Sequence, residues 1–455
     1  MSGKLKTTIV VALLLVLAAI YGAFAHVKVA AQAYVYGYPL VLMELTRRSQ
    51  ASASLANEFS HGQVFPDHTF RNVVRPNNDT LYSTAWLNLQ DSPVVLSVPD
   101  TQGRYYVMPL MDAWTNVFAT VGKRKQGTTA GKYLITGPDW QGVALPDLNI
   151  ITSPTNMVWI IGRIQTNGPE DVENVARLQQ QFSLTPLEQW TTGKSIAGPG
   201  GARSVAMDTQ KDPSQQIYDM SGKQFFSLFS QLLSAQSPSP ADAEILETIA
   251  SIGLVPGKAL SAGLLSAWLL DLAKHYTHEG ITRQLAKKTA LENGWSVRRE
   301  LIGTYGTHYG VRTGVAMVGL GALPPQEAVY PNSAQDADGQ PLTGSGSYRL
   351  HFPAGETPPA TAFWSVTVYD EAGFLVQNPI GRYAIGDRDP LVFNPDGSLD
   401  LYIQHAAPEK MQANWLPSPP DNFALTMRIY LPEQRFLQGH WRLPAIERVA
   451  PSHTD

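Results

Sequence analysis

The chain has 455 residues, a formal charge of −4, 44% hydrophobic and 16% charged residues, and no cysteine. That balance excludes intrinsic disorder and gives no basic patch for nucleic acid. The missing thiols exclude disulfides, a lipid-modified N-terminal cysteine, a cysteine nucleophile and thiolate metal sites.

The N-terminus reads as an export signal. Lys4 and Lys6 precede an apolar run over residues 9–20, and Ala23-Phe24-Ala25 supplies a small-x-small cleavage pattern before His26. The rival is an uncleaved anchor, because the apolar stretch reaches Ala25 and approaches the length that spans a bilayer. Either way the rest of the chain is expected outside the cytoplasm, periplasmic, secreted or membrane-anchored. Residues 26–50 then predict a helix, with Ala30, Ala33, Tyr34, Gly37, Val41 and Leu45 on one face and Pro39 kinking or dividing it.

Residues 51–168 change to short apolar and aromatic runs such as "GRYYVMPLMD" and "NMVWIIGRI", separated by turn residues. Closely spaced strands without helices between them predict an antiparallel β-sandwich. Residues 169–329 predict helices: "PEDVENVARLQQQF", "GKQFFSLFSQLL", "SPADAEILETIASIG" and "KALSAGLLSAWLLDLAKHY", with a loop over "AGPGGARSVAMDTQKDPS". Residues 330–455 return to strands with period-2 alternation, in "SYRLHF", "LDLYIQH" and "FALTMRIYL". One buried face per strand predicts a second sandwich or jelly-roll. The fold class expected is mainly β with a helical insert.

Several motifs fail on spacing. "GKS" at Gly193 to Ser195 lacks the upstream glycine of a phosphate loop, and "GSGSY" is not a nucleophile elbow. "DADG" at Asp336 to Gly339 reads as a hairpin turn, not a calcium loop. His275 and His278 could share a helix face, but a solvated helix end before Gly280 explains them better.

The stretch "RPNNDTLYST" is a polar block in front of a strand. As a site, Asp79 would be a general base or metal ligand and Arg75 an anion clamp; Asn77 and Asn78 would be donors and Tyr82 a donor or stacking ring. As structure, Pro76 would start a turn tied by Asx bonds to its own backbone. In "MDAWTN", Asp112, Trp114 and Asn116 share a parity and on a strand would form one face, a ligand wall, or else an exposed face or a bulge. Trp364 is expected on the face of Val366 and Val368. "GRYAIGDRD" carries Arg382, Tyr383, Asp387, Arg388 and Asp389, read as internal ion pairing in a loop, and Asn414-Trp415 precedes a Pro-rich turn.

Taken together, "RPNNDTLYSTAWLNL", "GPDWQG", "SPTNMVWIIGR", "AFWSVTVYDEAGFLVQNP", "RYAIGDRDPL", "NPDGSLDLYIQ", "NWLPSPPDNFALTMRIYLPE" and "GHWRLPAI" resemble the bacterial proteins that pair domain of unknown function 1254 with domain of unknown function 1214. The resemblance implies an immunoglobulin-like sandwich, a helical segment and a jelly-roll. It implies no reaction and no agreed catalytic residues. The motif positions it carries over are Arg75, Asn77, Asp79, Thr80 and Tyr82 in the first block and Trp364, Arg382, Asn414 and Trp415 in the last. The family's helical segment often closes with Gly-Ala-Asn, whereas this chain has Gly321-Ala322-Leu323, which puts a polar contact there in question.

Three functions compete. One is an exported protein that binds a small or amphiphilic organic ligand between the β-domains and converts it by hydrolytic or acid–base chemistry. Asp79, Arg75 and Tyr82 would act, and Asn77, Asn78, Asp112, Trp114, Asn116, Trp364, Arg382, Asn414 and Trp415 would bind. The second is a non-catalytic envelope protein that binds carbohydrate or lipid, and the third an assembly protein whose partners are further copies of the chain. Membrane contact is expected only through an uncleaved N-terminal segment. The sequence names neither cofactor nor metal.

Overall fold

The computed structural model describes residues 3–50, 56–71, 75–143, 145–194, 212–260, 263–286 and 291–449. Helix α1 (Gly3–Gln50) is continuous through Pro39. Its first half is long and apolar enough to cross a membrane, with a mean hydropathy of 2.4, and none of that stretch is buried in the protein. From Ala30 to Leu45 the same helix is core, and Tyr34, Tyr36, Tyr38, Leu40 and Val41 are fully buried. Proline at 39 removes the amide that would bond the Val35 carbonyl. The Thr313 hydroxyl donates to that carbonyl instead, so a neighbouring helix repairs the ladder and the helix is neither divided nor left unsatisfied.

The first β-region comprises β1 (Ser60–His61), β2 (Thr80–Asn88), β3 (Val94–Val98), β4 (Tyr106–Asp112), β5 (Val117–Gly122), β6 (Gly131–Thr136), β7 (Asn149–Thr152), β8 (Met157–Gln165) and β9 (Ser183–Pro186), with short helices α2 (Lys123–Gln126), α3 (Val172–Gln179) and α4 (Leu187–Thr192). They form two sheets, ordered β1-β2-β8-β4-β5 and β7-β6-β3-β9. The second sheet runs on past residue 168, because β9 pairs with β3. Leu81, Leu87, Met108, Leu110 and Ile160 of the first sheet share one core with Val94, Leu96 and Ile135 of the second.

The other face of the first sheet packs on helices. Trp86, Met111, Trp159 and Ile161 join the buried half of α1 and residues of α5 (Pro213–Asp219), α6 (Gly222–Ala235), α7 (Ala243–Ala250), α8 (Leu264–Leu285) and α9 (Tyr309–Gly319) in a second core. Strand β8 is therefore buried on both faces and reads as a continuous apolar run. Helix α8 passes through Gly280 instead of ending there. His278 bonds the Tyr34 hydroxyl at 2.9 Å within the bundle and is not at a solvated helix end.

The C-terminal region holds β10 (Ala328–Val329), β11 (Asn332–Ser333), β12 (Ser347–Phe352), β13 (Ala360–Asp370), β14 (Ala384–Gly386), β15 (Leu399–Gln404), β16 (Trp415–Pro417), β17 (Phe423–Pro432) and β18 (Ile446–Val449), and helix α10 (Gln434–Leu437). The sheets are β10-β17-β13-β14, with β11 on β17, and β16-β15-β12-β18. Leu350, Phe352, Leu401 and Ile403 meet Val366, Val368, Leu425 and Ile429 in a third core. Strand β12 alternates as expected, but β17 is buried along its whole length. Its even-numbered residues face the first β-region, which is why one buried face is too few. Among the described residues the chain is thus a mixed fold of several β-sheets and ten helices with a long N-terminal helix.

Candidate functional site

Alternation along β13 and β17 makes the interface between the β-regions. Trp364, Val366 and Val368 point into the C-terminal core, so Phe363, Ser365, Thr367 and Tyr369 point the other way. "RPNNDTLYST" docks on that second face. The Ser365 hydroxyl donates to Asp79 Oδ2 at 2.7 Å, and the Tyr369 hydroxyl donates to the Pro76 carbonyl at 2.6 Å. Arg428 of β17 donates to Thr367 Oγ1, to the Tyr369 hydroxyl and to the carbonyls of Arg75 and Pro76.

Asp79 is fully buried and ion-paired with Arg388. Arg388 also donates to the Asp79 and Thr166 carbonyls and lies 4.3 Å from the Phe363 ring centre. Both Asp79 oxygens are thus engaged inside the protein, and the geometry gives this carboxylate the work of joining two β-regions, not that of a base. Arg75 donates to Asn332 Oδ1 and Thr426 Oγ1. Asn78 bonds the Pro66 carbonyl. Within "GRYAIGDRD", Asp387 and Asp389 accept from the backbone amides of Trp364 and Gly386, while Arg388 leaves its loop for Asp79. Internal pairing is therefore corrected to pairing across the interface.

Asn77 and Tyr82 open onto a different cluster. The Asn77 amide donates to Thr80 Oγ1 at 3.0 Å, the Tyr430 hydroxyl at 2.8 Å and the Tyr82 hydroxyl at 3.4 Å. Tyr82 is cross-strand partner to Arg163, whose guanidinium lies 5.2 Å from the Tyr82 ring centre. Arg163 is 6% exposed and donates to the carbonyls of Ile161 and Gly321, while its Nε has no partner. No carboxylate among the described residues lies within ion-pair distance of Arg163. Its other neighbours are phenols: Tyr82, Tyr330 and Tyr430 surround it. The Tyr105 hydroxyl, fully buried nearby, also lacks a partner.

Burial raises the Tyr82 phenol, but the Arg163 and Arg428 guanidiniums and the Asn77 amide outweigh it and hold the phenol below the usual tyrosine value. Burial pushes Tyr330 up to about 12 and raises Tyr430 well above the usual tyrosine value. Tyr82 and Tyr330 are half-buried, so each keeps part of its surface in solvent. This cluster lies where the first sheet, the C-terminal end of α9 and the C-terminal sheet meet. At that end Leu323 is fully buried with Tyr105 and Tyr430, an apolar contact where the related motif has a polar residue.

The other expected site residues lie elsewhere. Asp112, Trp114 and Asn116 do not share a strand face, because β4 ends at Asp112 and residues 113–116 turn. The Asp112 carboxylate accepts from the amides of Trp114 and Asn116, both near 2.9 Å, as an Asx turn does. Burial raises Asp112 to about 6. Trp114 packs on Tyr36 and beside Arg312 in the helical core. Trp364 packs on Phe352 in the C-terminal core, on the face away from Asp79. Asn414 bonds Val392 and the Asp400 carbonyl, and the Trp415 indole bonds the Gln404 carbonyl. Arg382 donates to three carbonyls beside a pocket of about 10 Å³, room for about one water. Among the described residues no three histidines or acids converge as a metal site requires. "DADG" is a turn, with Asp336 Oδ1 accepting from the Asp338 and Gln340 amides. The last residue of "GKS" and most of the expected loop after it lie outside the described residues.

Arg163, Arg428, Tyr330 and Tyr430 were not singled out by sequence reasoning. The signal was present in "MVWIIGRIQ" and "FALTMRIYL", each with one arginine inside an otherwise apolar strand. A buried arginine needs partners, and such a residue marks an interface or a site.

Comparison with known proteins agrees with this division. Residues 56–186 match the protein of unknown function family DUF1254, and residues 327–434 match DUF1214. No curated protein matches the chain. The crystal structure of the VPA0106 protein from Vibrio parahaemolyticus is similar, with 26% identity and a TM-score of 0.74 over 93% of this chain and 100% of that one. An uncharacterized protein from Burkholderia cenocepacia matches at 10% identity and a TM-score of 0.46, over 93% of this chain and 89% of that one. Asn77, Tyr82 and Arg163 fall in the first matched segment, and Tyr330, Arg388, Arg428 and Tyr430 in the second. The chain carries a DUF1254 domain followed by a DUF1214 domain, and is a member of the proteins that pair these two domains of unknown function.

Proposed function

We propose that the protein binds a small organic anion between its two β-regions, with Arg163 meeting the anionic group and Tyr82 and Tyr330 flanking the organic body. The observation that carries this reading is a buried guanidinium with an unpartnered Nε, surrounded by phenols and with no carboxylate among the described residues within ion-pair distance. Burying an uncompensated cation costs several kcal/mol, and an arriving carboxylate would offset that cost with charge-assisted hydrogen bonds. The reading also takes the two pairs of sheets as an immunoglobulin-like sandwich and a jelly-roll, and the protein as exported, with the apolar half of α1 as signal or anchor.

Thermal unfolding tests the ligand class with benzoate and octanoate against benzyl alcohol and octanol. A ligand that binds only the folded state at 100 times its Kd stabilises by about 2.7 kcal/mol. The acids should raise the Tm of the wild type and not that of Arg163→Met, and the alcohols should raise neither. Acids that stabilise no better than alcohols would overturn the reading.

The lowered Tyr82 phenol favours a second reading, in which Tyr82 is the general base of a proton-transfer reaction on the bound anion. Tyr82→Phe should then abolish turnover and keep binding. Hydrolysis led by Asp79 has less support, because both its oxygens are occupied.

A further inference from the structure

We propose that the N-terminal turn of α8 rests in the membrane interface as a second apolar foot beside α1. Leu264, Leu265 and Trp268 are 95%, 69% and 58% exposed, a concentration of large apolar surface that a solvent-facing helix end does not need. Their height in the bundle says what covers them.

Helix α6 runs alongside α1 in the same direction. Phe225 packs against Tyr34, and the next turn, Phe229, fills the space over Gly37. Helix α8 has the same sense. Its residues 270 and 271 lie against Gly222, at the start of α6, and His278 lies between Tyr34 and Tyr38. At 1.5 Å per residue, Gly222 and Leu270 sit about level with residue 31 of α1, and Leu265 about level with residue 26.

That is the height at which α1 changes character. Its large residues are exposed through Phe24, at 70%, and its buried core residues begin at Ala30. The exposed apolar half of α1 and the exposed apolar turn of α8 therefore end on one plane. Trp268 and Tyr21, the latter 76% exposed, lie near it, as aromatic residues do at a membrane–water boundary. Exposed Lys28 follows on the protein side, suited to lipid phosphates. The occupant is a lipid bilayer. With two points of contact instead of one, the bundle would hold a fixed tilt on the membrane.

The inference rests on α1 entering the membrane, and the test separates the two claims. The chain contains no cysteine, so single cysteines at Leu15→Cys, Leu265→Cys, Trp268→Cys and Phe393→Cys can each carry an environment-sensitive fluorophore. The labelled full chains are reconstituted into vesicles of phosphatidylcholine and phosphatidylglycerol, with and without lipid-borne nitroxide. Position 393, 53% exposed in the C-terminal region, is the water-facing control. Labels at 15, 265 and 268 should be blue-shifted and quenched several-fold more than the label at 393. Quenching at 15 alone would overturn the foot and leave the anchor. No quenching at 15 would overturn the anchor. A blue shift at 265 and 268 that lipid nitroxide does not quench would assign the surface to another protein copy and overturn the proposal.

Discussion

Removing Asp79 tests whether "RPNNDTLYST" is a joint between β-regions. The Asp79 carboxylate is fully buried against Arg388 and Ser365, and Arg388 is packed on Phe363. Asp79→Ala strands a largely buried guanidinium, so the expected loss is about 3–5 kcal/mol, against about 1 kcal/mol or less for an exposed pair. Arg388→Met should cost a similar amount, because it strands the carboxylate. The double variant Asp79→Ala/Arg388→Met removes both charges and should lose far less than the two single losses added, which is the signature of a direct pair. Urea unfolding followed by tryptophan fluorescence measures all of these. An Asp79→Ala variant within about 1 kcal/mol of the wild type would refute the joint, and loss of ligand binding at unchanged stability would return Asp79 to a chemical role.

Other outcomes follow from the same geometry. Asp112 is held near 6 against 3.8 when unfolded, so the folded state binds the extra proton between those values. Stability should fall as pH rises from about 4 to about 6, by up to roughly 3 kcal/mol, and Asp112→Asn should flatten that slope in unfolding measured across the range. Thr313→Val leaves the Val35 carbonyl opposite Pro39 unpaired and should cost about 1–3 kcal/mol by the same assay, whereas Thr313→Ser should recover most of it. Gly386→Ala places a Cβ 2.0 Å from the Trp364 carbonyl oxygen; backbone there cannot yield cheaply, and β14 should detach, read as faster amide exchange along β13 and β14.

Periodicity made much of the fold legible. Alternation in "SYRLHF" became β12 with its buried face, and the aromatic face of "GKQFFSLFSQLL" became the contact of α6 with α1. Burial of both faces was not legible in β8 or β17, because a strand pattern does not say that a second layer will arrive from elsewhere in the chain. The site suffered for the same reason. Asp79 looked chemical because a carboxylate before a strand is conspicuous, but its partner is 309 residues away. Arg163 was passed over inside an apolar strand, yet it is a buried cation with no carboxylate in ion-pair distance among the described residues. Asp112, Trp114 and Asn116 were misplaced because parity was carried past the end of β4 into a turn.

The central claim is that Arg163 and its phenols hold a small organic anion. Native mass spectrometry of the full chain extracted from its own envelope tests it most directly, with Tyr82→Phe and Arg163→Met prepared alongside. The account predicts a small acid retained by the wild type and by Tyr82→Phe and absent from Arg163→Met. An acid retained equally by wild type and Arg163→Met, or a neutral molecule retained in its place, would contradict it.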